Sequence, residues 1–332
     1  MAFADTLIRW YEEHKRDLPW RGETDPYRIW VSEIILQQTR VQQGWDYYLR
    51  FIDNFPNVRA LADAEEERVL KVWQGLGYYS RARNMHTAAR EITARHNGLF
   101  PQDYDKILAL KGIGKYTAAA IASIAFHLPY PAVDGNVIRI ISRIFGICDD
   151  VSQPAVIQQI TNICEAQIDH KQPGIFNQAA MDFGAIQCTP RTPRCKDCPF
   201  QASCYALKNQ LTEVLPIKKK KSELKHRYFH YSVYVSHNQT IIEKRTNSDI
   251  WKNMYQFPLV ETDANANFGE ADFSMRETLS HQVIHANFYL KNVHQLPKLS
   301  INQSIINFDN IHDFPMPKIM TMFLQKVMEQ NL

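Results

Sequence analysis

Four cysteines stand at C-x6-C-x2-C-x5-C spacing: Cys188, Cys195, Cys198 and Cys204. Four thiolates this close in sequence suit a soft, positively charged centre, either zinc or an iron–sulfur cluster. Spacing alone does not choose between them. Pairing as two disulfides would need an oxidising compartment, which nothing in the sequence supports. Cys148 and Cys164 stand apart and read as buried thiols. Arg191, Arg194 and Lys196 share the cysteine loop, so a metal there could brace a basic loop against an anion.

A second candidate is Glu33, in S-E-I-I-L-Q-Q-T at 32–39. Its helix is apolar almost all round, and burial disfavours a charged carboxylate. A raised carboxyl can then act as a general acid near neutral pH. The bland alternative is a carboxylate at the edge of an apolar face, paired with an arginine. Next comes L-K-G-I-G-K-Y-T at 110–117. Two glycines ahead of an Ala-rich helix can present backbone N–H groups to a phosphate, or can simply turn the chain. The segment nearly matches a nucleotide-binding loop. Ala109 replaces the turn glycine, however, and Tyr116 the metal-binding hydroxyl, so NTPase activity is not expected. Third is V-D-G-N-V at 133–137, where Asp134 and Asn136 stand at an expected helix start and could be ordinary caps.

The elements that must hold these groups are mostly helical. Phe3, Leu7, Trp10 and Tyr11 recur at helix spacing, and Pro26 opens an apolar segment through Val41. Further helices are predicted at 65–74, 80–96, 104–110, 115–127, 135–146, 153–169 and 174–185. Lys218 to Lys221, with Lys225 and Arg227, make a basic linker. Beyond it the texture changes: 228–235, 240–243 and 283–293 read as strands. The expected organisation is a helical domain over 1–208, a linker over 209–225 and a smaller α+β domain over 226–332. No internal repeat is visible.

With 332 residues, 45% apolar and 22% charged, the chain is ordinary globular material. A net charge of +3 is too small to name a partner by itself, since the positive charge is local. No apolar run approaches the roughly 20 residues that cross a bilayer. Asp5, Arg9, Glu12, Glu13 and His14 break any secretory pattern at the N-terminus, so a cytoplasmic setting is expected.

Taken in order, hairpin, Ala-rich helix, acid at the next helix start and four cysteines form a constellation. Residues 1–208 resemble the helix–hairpin–helix DNA glycosylase superfamily, in the branch that carries an iron–sulfur loop. More closely they are similar to the adenine DNA glycosylase (MutY) family. The matching stretches are L-P-W-R at 18–21, W-V-S-E-I-I-L-Q-Q-T at 30–39, G-L-G-Y-Y-S-R-A-R-N at 75–84, G-I-G-K-Y-T at 112–117, V-D-G-N-V at 133–137, F-N-Q-A-A-M-D-F-G-A at 176–185 and the cysteine loop. The resemblance continues more weakly through the C-terminal domain, where I-I-E-K-R at 241–245 and M-Y-Q-F-P at 254–258 fit a Nudix-like lesion-recognition domain.

The resemblance implies hydrolysis of the N-glycosidic bond of adenine mispaired with 8-oxoguanine or guanine in duplex DNA. Glu33 would protonate the base, Asp134 would stabilise the sugar cation, and Tyr116 and Asn136 would support them. Arg16, Trp20, Leu36 and Gln178 would form the adenine pocket, and Gln38 and Tyr78 would probe or wedge the duplex. Gly112, Gly114, Lys115, Arg191, Arg194 and Lys196 would hold the DNA backbone. Cys188, Cys195, Cys198 and Cys204 would carry a 4Fe–4S cluster. Bifunctional relatives place a lysine nucleophile where this chain has Tyr116. A phenol forms no Schiff base, so a monofunctional enzyme is implied. Ser280 and His281 match the family's 8-oxoguanine contacts, while Leu279 replaces an aromatic. Arg276–Glu277 is followed by no paired acids, so no pyrophosphatase activity is expected. Without a targeting segment a bacterial cytoplasm is expected, with the chain a monomer associated with the nucleoid. Two rivals remain at this stage: a thymine-glycol or mismatch glycosylase of the endonuclease III branch, and a metal-braced DNA-binding module without catalysis.

Overall fold

The structure, a computed structural model, describes residues 2–219, 223–264, 266 and 268–329. Lys220 and Lys221 of the basic linker lie outside the described residues. The helices run in order α1 (Phe3–His14), α2 (Pro26–Leu36), α3 (Val41–Asn54), α4 (Val58–Asp63), α5 (Glu66–Trp73), α6 (Ser80–Arg95), α7 (Tyr104–Ala109), α8 (Lys115–Phe126), α9 (Gly135–Phe145), α10 (Pro154–Gln167), α11 (Pro173–Asp182) and α12 (Tyr205–Lys208). Strands follow: β1 (Lys225–Val235), β2 (Gln239–Lys244), β3 (Tyr255–Gln256), β4 (Leu259–Thr262), β5 (Phe273–Thr278), β6 (Gln282–Asn292) and β7 (Gln303–Asn307), then helix α13 (Lys318–Glu329).

Two compact units form, and they do not follow chain order. One holds Met1–Ala62 and Thr87–Lys220, the other Asp63–His86 and Lys221–Leu332. Residues 63–86, placed with the helical domain on sequence, group instead with the C-terminal strands. The reason lies in specific pairings. Glu67 accepts from Lys244 Nζ at 2.5 Å and from the Tyr255 hydroxyl at 2.8 Å, and Glu66 accepts from Asn253 at 2.6 Å.

In the helical unit the elements begin and end where local chemistry dictates. Asp25 caps α2 by accepting from the Tyr27 N–H, with Pro26 at the first helical position. Eight of the eleven residues of α2 are buried, Glu33 among them. Between α7 and α8 the chain turns at Lys111–Gly114. Gly112 adopts a φ of +79°, a left-handed conformation that favours glycine, while Ile113 is tucked inward. After α11 the backbone widens into a π-turn over Phe183–Gln187. There Gly184 lies so close to Asn136 that an added Cβ would come within 2.5 Å of the Asn136 Cβ. Only glycine permits that approach.

In the second unit the sheets are β4-β1-β6-β5 and β3-β2-β7. β1 and β6 pair in parallel over eleven residues, flanked by antiparallel β4 and β5. α13 covers one face of this sheet. Its Phe323 stacks on Phe288 at 4.0 Å and meets Phe257 and Phe273 edge-on.

Candidate active site

A cavity of about 450 Å³ in the helical unit brings the four expected catalytic residues together. Glu33 enters from α2, Tyr116 from the first turn of α8, Asp134, Gly135 and Asn136 from the start of α9, and Met181 from α11. Arg16, Trp20, Leu36 and Gln38 also line it.

Glu33 is 7% exposed. The Tyr116 hydroxyl donates to its Oε2 at 2.6 Å. Burial raises the Glu33 carboxyl above its ordinary range, against the opposing pull of the Tyr116 hydrogen bond and the Arg21 charge. Burial likewise pushes the Tyr116 phenol well up, so it is a donor and not a phenolate.

Asp134 is both a helix cap and a cavity-lining residue. It caps α9, with Oδ1 accepting from the Val137 N–H at 2.8 Å, and it lines the cavity. Its Oδ2 accepts from Asn136 Nδ2 at 2.8 Å. Burial raises this carboxyl too, against those hydrogen bonds. Asn136 is held in turn by Arg139, whose Nη2 donates to Asn136 Oδ1 at 2.8 Å and whose Nε donates to the Cys188 carbonyl at 2.8 Å. A chain of polar contacts therefore runs from Asp134 to the first cysteine of the loop.

Sequence reasoning singled out neither Arg21 nor Asp182. Asp182 is fully buried, and its Oδ1 accepts from Arg16 Nη2 at 2.6 Å and Arg21 Nη2 at 2.5 Å. This pair holds both cavity arginines. The two motifs contain these residues, but no sequence signal joins positions 161 apart. Gln178 does not line the cavity; its Oε1 accepts from the Tyr11 hydroxyl at 2.9 Å.

The expected backbone contacts lie on exposed surface. Gly112, Gly114 and Lys115 are exposed at the α7–α8 hairpin, and Arg191, Arg194 and Lys196 are exposed on the cysteine loop. Cys188, Cys195, Cys198 and Cys204 together line one small cavity of about 20 Å³ and form no disulfide. Arg143 Nη1 approaches Cys188 Sγ at 3.4 Å. Among the described residues no three Cys, His, Asp or Glu side chains converge tightly enough for a single ion.

Tyr78, Ser280 and His281 belong to the second unit. Residues 279–281 form the tight turn from β5 to β6, closed by the Leu279 N–H donating to the Gln282 carbonyl at 2.8 Å. The Tyr78 hydroxyl hydrogen-bonds Ser280 Oγ, and both line a cavity of about 500 Å³ with Leu279 and His281. Tyr78 is exposed and has a φ of +47°. A positive φ on an aromatic residue is a strained conformation that tends to occur where function demands it.

Comparison with known proteins places this arrangement. Residues 31–166 match the HhH-GPD superfamily base excision DNA repair protein family. An adenine DNA glycosylase of Buchnera aphidicola (subspecies Acyrthosiphon pisum) is 35% identical over 297 residues, covering 86% of this chain and 85% of that protein. The human adenine DNA glycosylase is 42% identical over 214 residues, covering 62% of this chain and 39% of that protein. Among solved structures, a thermostable thymine-DNA glycosylase aligns with a TM-score of 0.58 at 28% identity, over 62% of this chain and 95% of that one. An endonuclease III–DNA complex aligns at 0.54 and 22% identity over 63% of this chain and 94% of that one, a likeness of fold alone. The helical unit thus has the helix–hairpin–helix glycosylase fold, followed by an α/β region of two sheets. Among the described residues no helix is long and apolar enough to cross a membrane. With a relative this similar over more than four-fifths of both proteins, the chain belongs to the adenine DNA glycosylase family.

Proposed function

We propose that the chain is a base-excision repair glycosylase that hydrolyses the N-glycosidic bond of adenine opposite 8-oxoguanine, or less readily guanine, in duplex DNA. The observation that carries this reading is that Glu33, held by Tyr116, and Asp134, held by Asn136, line one cavity. Adenine leaves poorly until its ring is protonated. Glu33, its carboxyl raised by burial, supplies a proton to N7 of a base flipped into the cavity. As the bond breaks, the sugar becomes cationic. Asp134 as carboxylate stabilises it, and water completes the reaction. Separated roles for two carboxyls follow the logic of glycoside hydrolysis. Arg16, Trp20, Leu36 and Gln178 serve the adenine, with Gln178 turning from Tyr11 to reach it. No lysine stands at position 116, so the strand stays intact.

The DNA backbone is held by Gly112, Gly114 and Lys115 at the hairpin and by Arg191, Arg194 and Lys196 at the cysteine loop. Four unpaired thiols around one cavity, with an arginine N–H directed at Cys188 Sγ, fit a 4Fe–4S cluster. Bound there, it supplies a rigid, charged brace for the basic loop. The C-terminal unit acts as a Nudix-like lesion-recognition domain. Ser280 and His281 offer hydrogen bonds to 8-oxoguanine, and Tyr78 and Gln38 take up the space around the orphan base. The working unit is a monomer in a bacterial cytoplasm, associated with the nucleoid.

The test is to incubate the full chain with a duplex carrying adenine opposite 8-oxoguanine, then measure free adenine and strand breakage separately. Free adenine with breaks only after alkali supports the reading. Release of another base, or none, contradicts it.

A further inference from the structure

The Tyr116 hydroxyl has two acceptors within reach. It donates to Glu33 Oε2 at 2.6 Å and to Met181 Sδ at 3.0 Å. A hydroxyl carries one proton, so it serves only one of them fully at a time. Met181 is buried on α11 and lines the cavity that holds Glu33 and Asp134. Neither protonation of the base nor support of the sugar cation requires a thioether there. As a piece of apolar wall, leucine would fill the place about as well.

The two acceptors suit the two charge states of Glu33. A carboxylate outcompetes the sulfur, because charge-assisted hydrogen bonds are about twice as strong as neutral ones and a thioether is a weak acceptor. The hydroxyl then points at Glu33. Once Glu33 is protonated, that advantage is gone. The hydroxyl can turn to Met181 Sδ while its own oxygen accepts from the Glu33 O–H. Two hydrogen bonds then run in series, from Glu33 to Tyr116 to Met181. A bond open only to the neutral form favours that form.

We propose that Met181 is a positioning residue for the proton on Glu33: its thioether takes the Tyr116 hydroxyl when the acid is protonated and so helps the acid keep its proton. The effect on turnover rests on the reading of Glu33 as general acid given above. The hydrogen-bond exchange does not.

The sign of the effect separates it from loosened packing. The charged and titratable groups that face Glu33 are Tyr116 on α8, Arg21 and Arg16 ahead of α2, and Asp134 at the start of α9. Arg21 draws the Glu33 carboxyl down, and Asp182, next to Met181, holds Arg21 at 2.5 Å. A substitution that merely disturbed α11 would release Arg21 and move Glu33 up. Loss of the sulfur moves it down.

The experiment follows the Glu33 carboxyl in the full chain by the infrared C=O band of its protonated form, identified by its loss in Glu33→Gln. In Met181→Leu the titration midpoint should fall by about half to one pH unit. The alkaline limb of single-turnover adenine release should move down with it. Norleucine incorporated in place of methionine removes the same sulfur without changing its outline, and should give the same shift. In a Tyr116→Phe background Met181→Leu should leave the midpoint where Tyr116→Phe puts it. A midpoint that stays or rises in the leucine and norleucine proteins overturns the proposal. So does an equal fall when the hydroxyl is already gone. If the midpoint falls but adenine release follows it in neither protein, the role of the thioether stands and the general-acid reading fails.

Discussion

The cavity at Glu33 and the turn at Ser280 are built from different materials. The cavity draws side chains from segments far apart in sequence and holds them by side-chain hydrogen bonds. Glu33 is fixed by Tyr116, Asp134 by Val137 and Asn136, Asn136 by Arg139, and Arg16 and Arg21 by Asp182. Burial is the working condition there, because it raises both carboxyls. The turn is three residues between two strands, and its Ser280 side chain hydrogen-bonds Tyr78. Proton transfer depends on dry, pre-set geometry, whereas recognition needs reach and exposed donors. Loss of a cavity residue should therefore stop turnover, and loss of a turn residue should only reduce discrimination.

The largest expected effect is at Glu33. Glu33→Gln keeps size and hydrogen bonding but removes the acid. Single-turnover adenine release should fall by roughly 10²–10⁴, while gel-shift affinity for the mispair persists. Asp134 sharpens the comparison, because its two roles separate. Asparagine caps helices about as well as aspartate, so Asp134→Asn should change the unfolding midpoint little while cutting release about a hundredfold or more. Large destabilisation with intact turnover would reduce Asp134 to a cap. Next in size, Cys198→Ser should remove visible absorption from the purified chain and weaken duplex binding. Unaltered absorption would exclude the four-thiol cavity as the cluster site. Ser280→Ala with His281→Ala should then shrink the preference for 8-oxoguanine over guanine about tenfold, leaving the guanine opposite-base rate alone. A drop in both rates alike would move the turn into the same class as the cavity.

Smallest is Tyr116→Phe. Its hydroxyl favours the charged form of Glu33, so removing it should push the Glu33 carboxyl further up. On the proposed mechanism activity requires the protonated acid and is lost as pH rises through that value. The alkaline limb of the rate profile should therefore move to higher pH in this variant.

Much of the helical unit was legible because its signals are local. Caps, glycine turns and apolar periodicity place α5 to α10 within a residue or two of expectation, while α11 ends three residues early at the π-turn. The apolar run from Pro26 hid a break, since α2 ends at Leu36 and α3 starts at Val41. In the sheet unit, β1, β2 and β6 were visible from their β-branched and aromatic runs. Short β3, β4 and β7 were not, and β5 alternates with few such residues, F-S-M-R-E-T. Of the site, the acids and cysteines carry a chemical signature in their residue types. Arg21 and Asp182 do not, because what matters about them is a salt bridge between segments that only the fold brings together. The grouping of residues 63–86 with the strands was hidden for the same reason: Glu66 and Glu67 look like ordinary first-turn acids until their partners appear.

The central claim is that a buried, protonated Glu33 drives base release. The most direct measurement is the pH dependence of single-turnover adenine release by the wild-type chain and by Glu33→Gln on the same duplex. The wild-type rate should fall as pH rises through the elevated Glu33 value, and the slow variant should lack this limb. The same profile at the same rate in both proteins would contradict it.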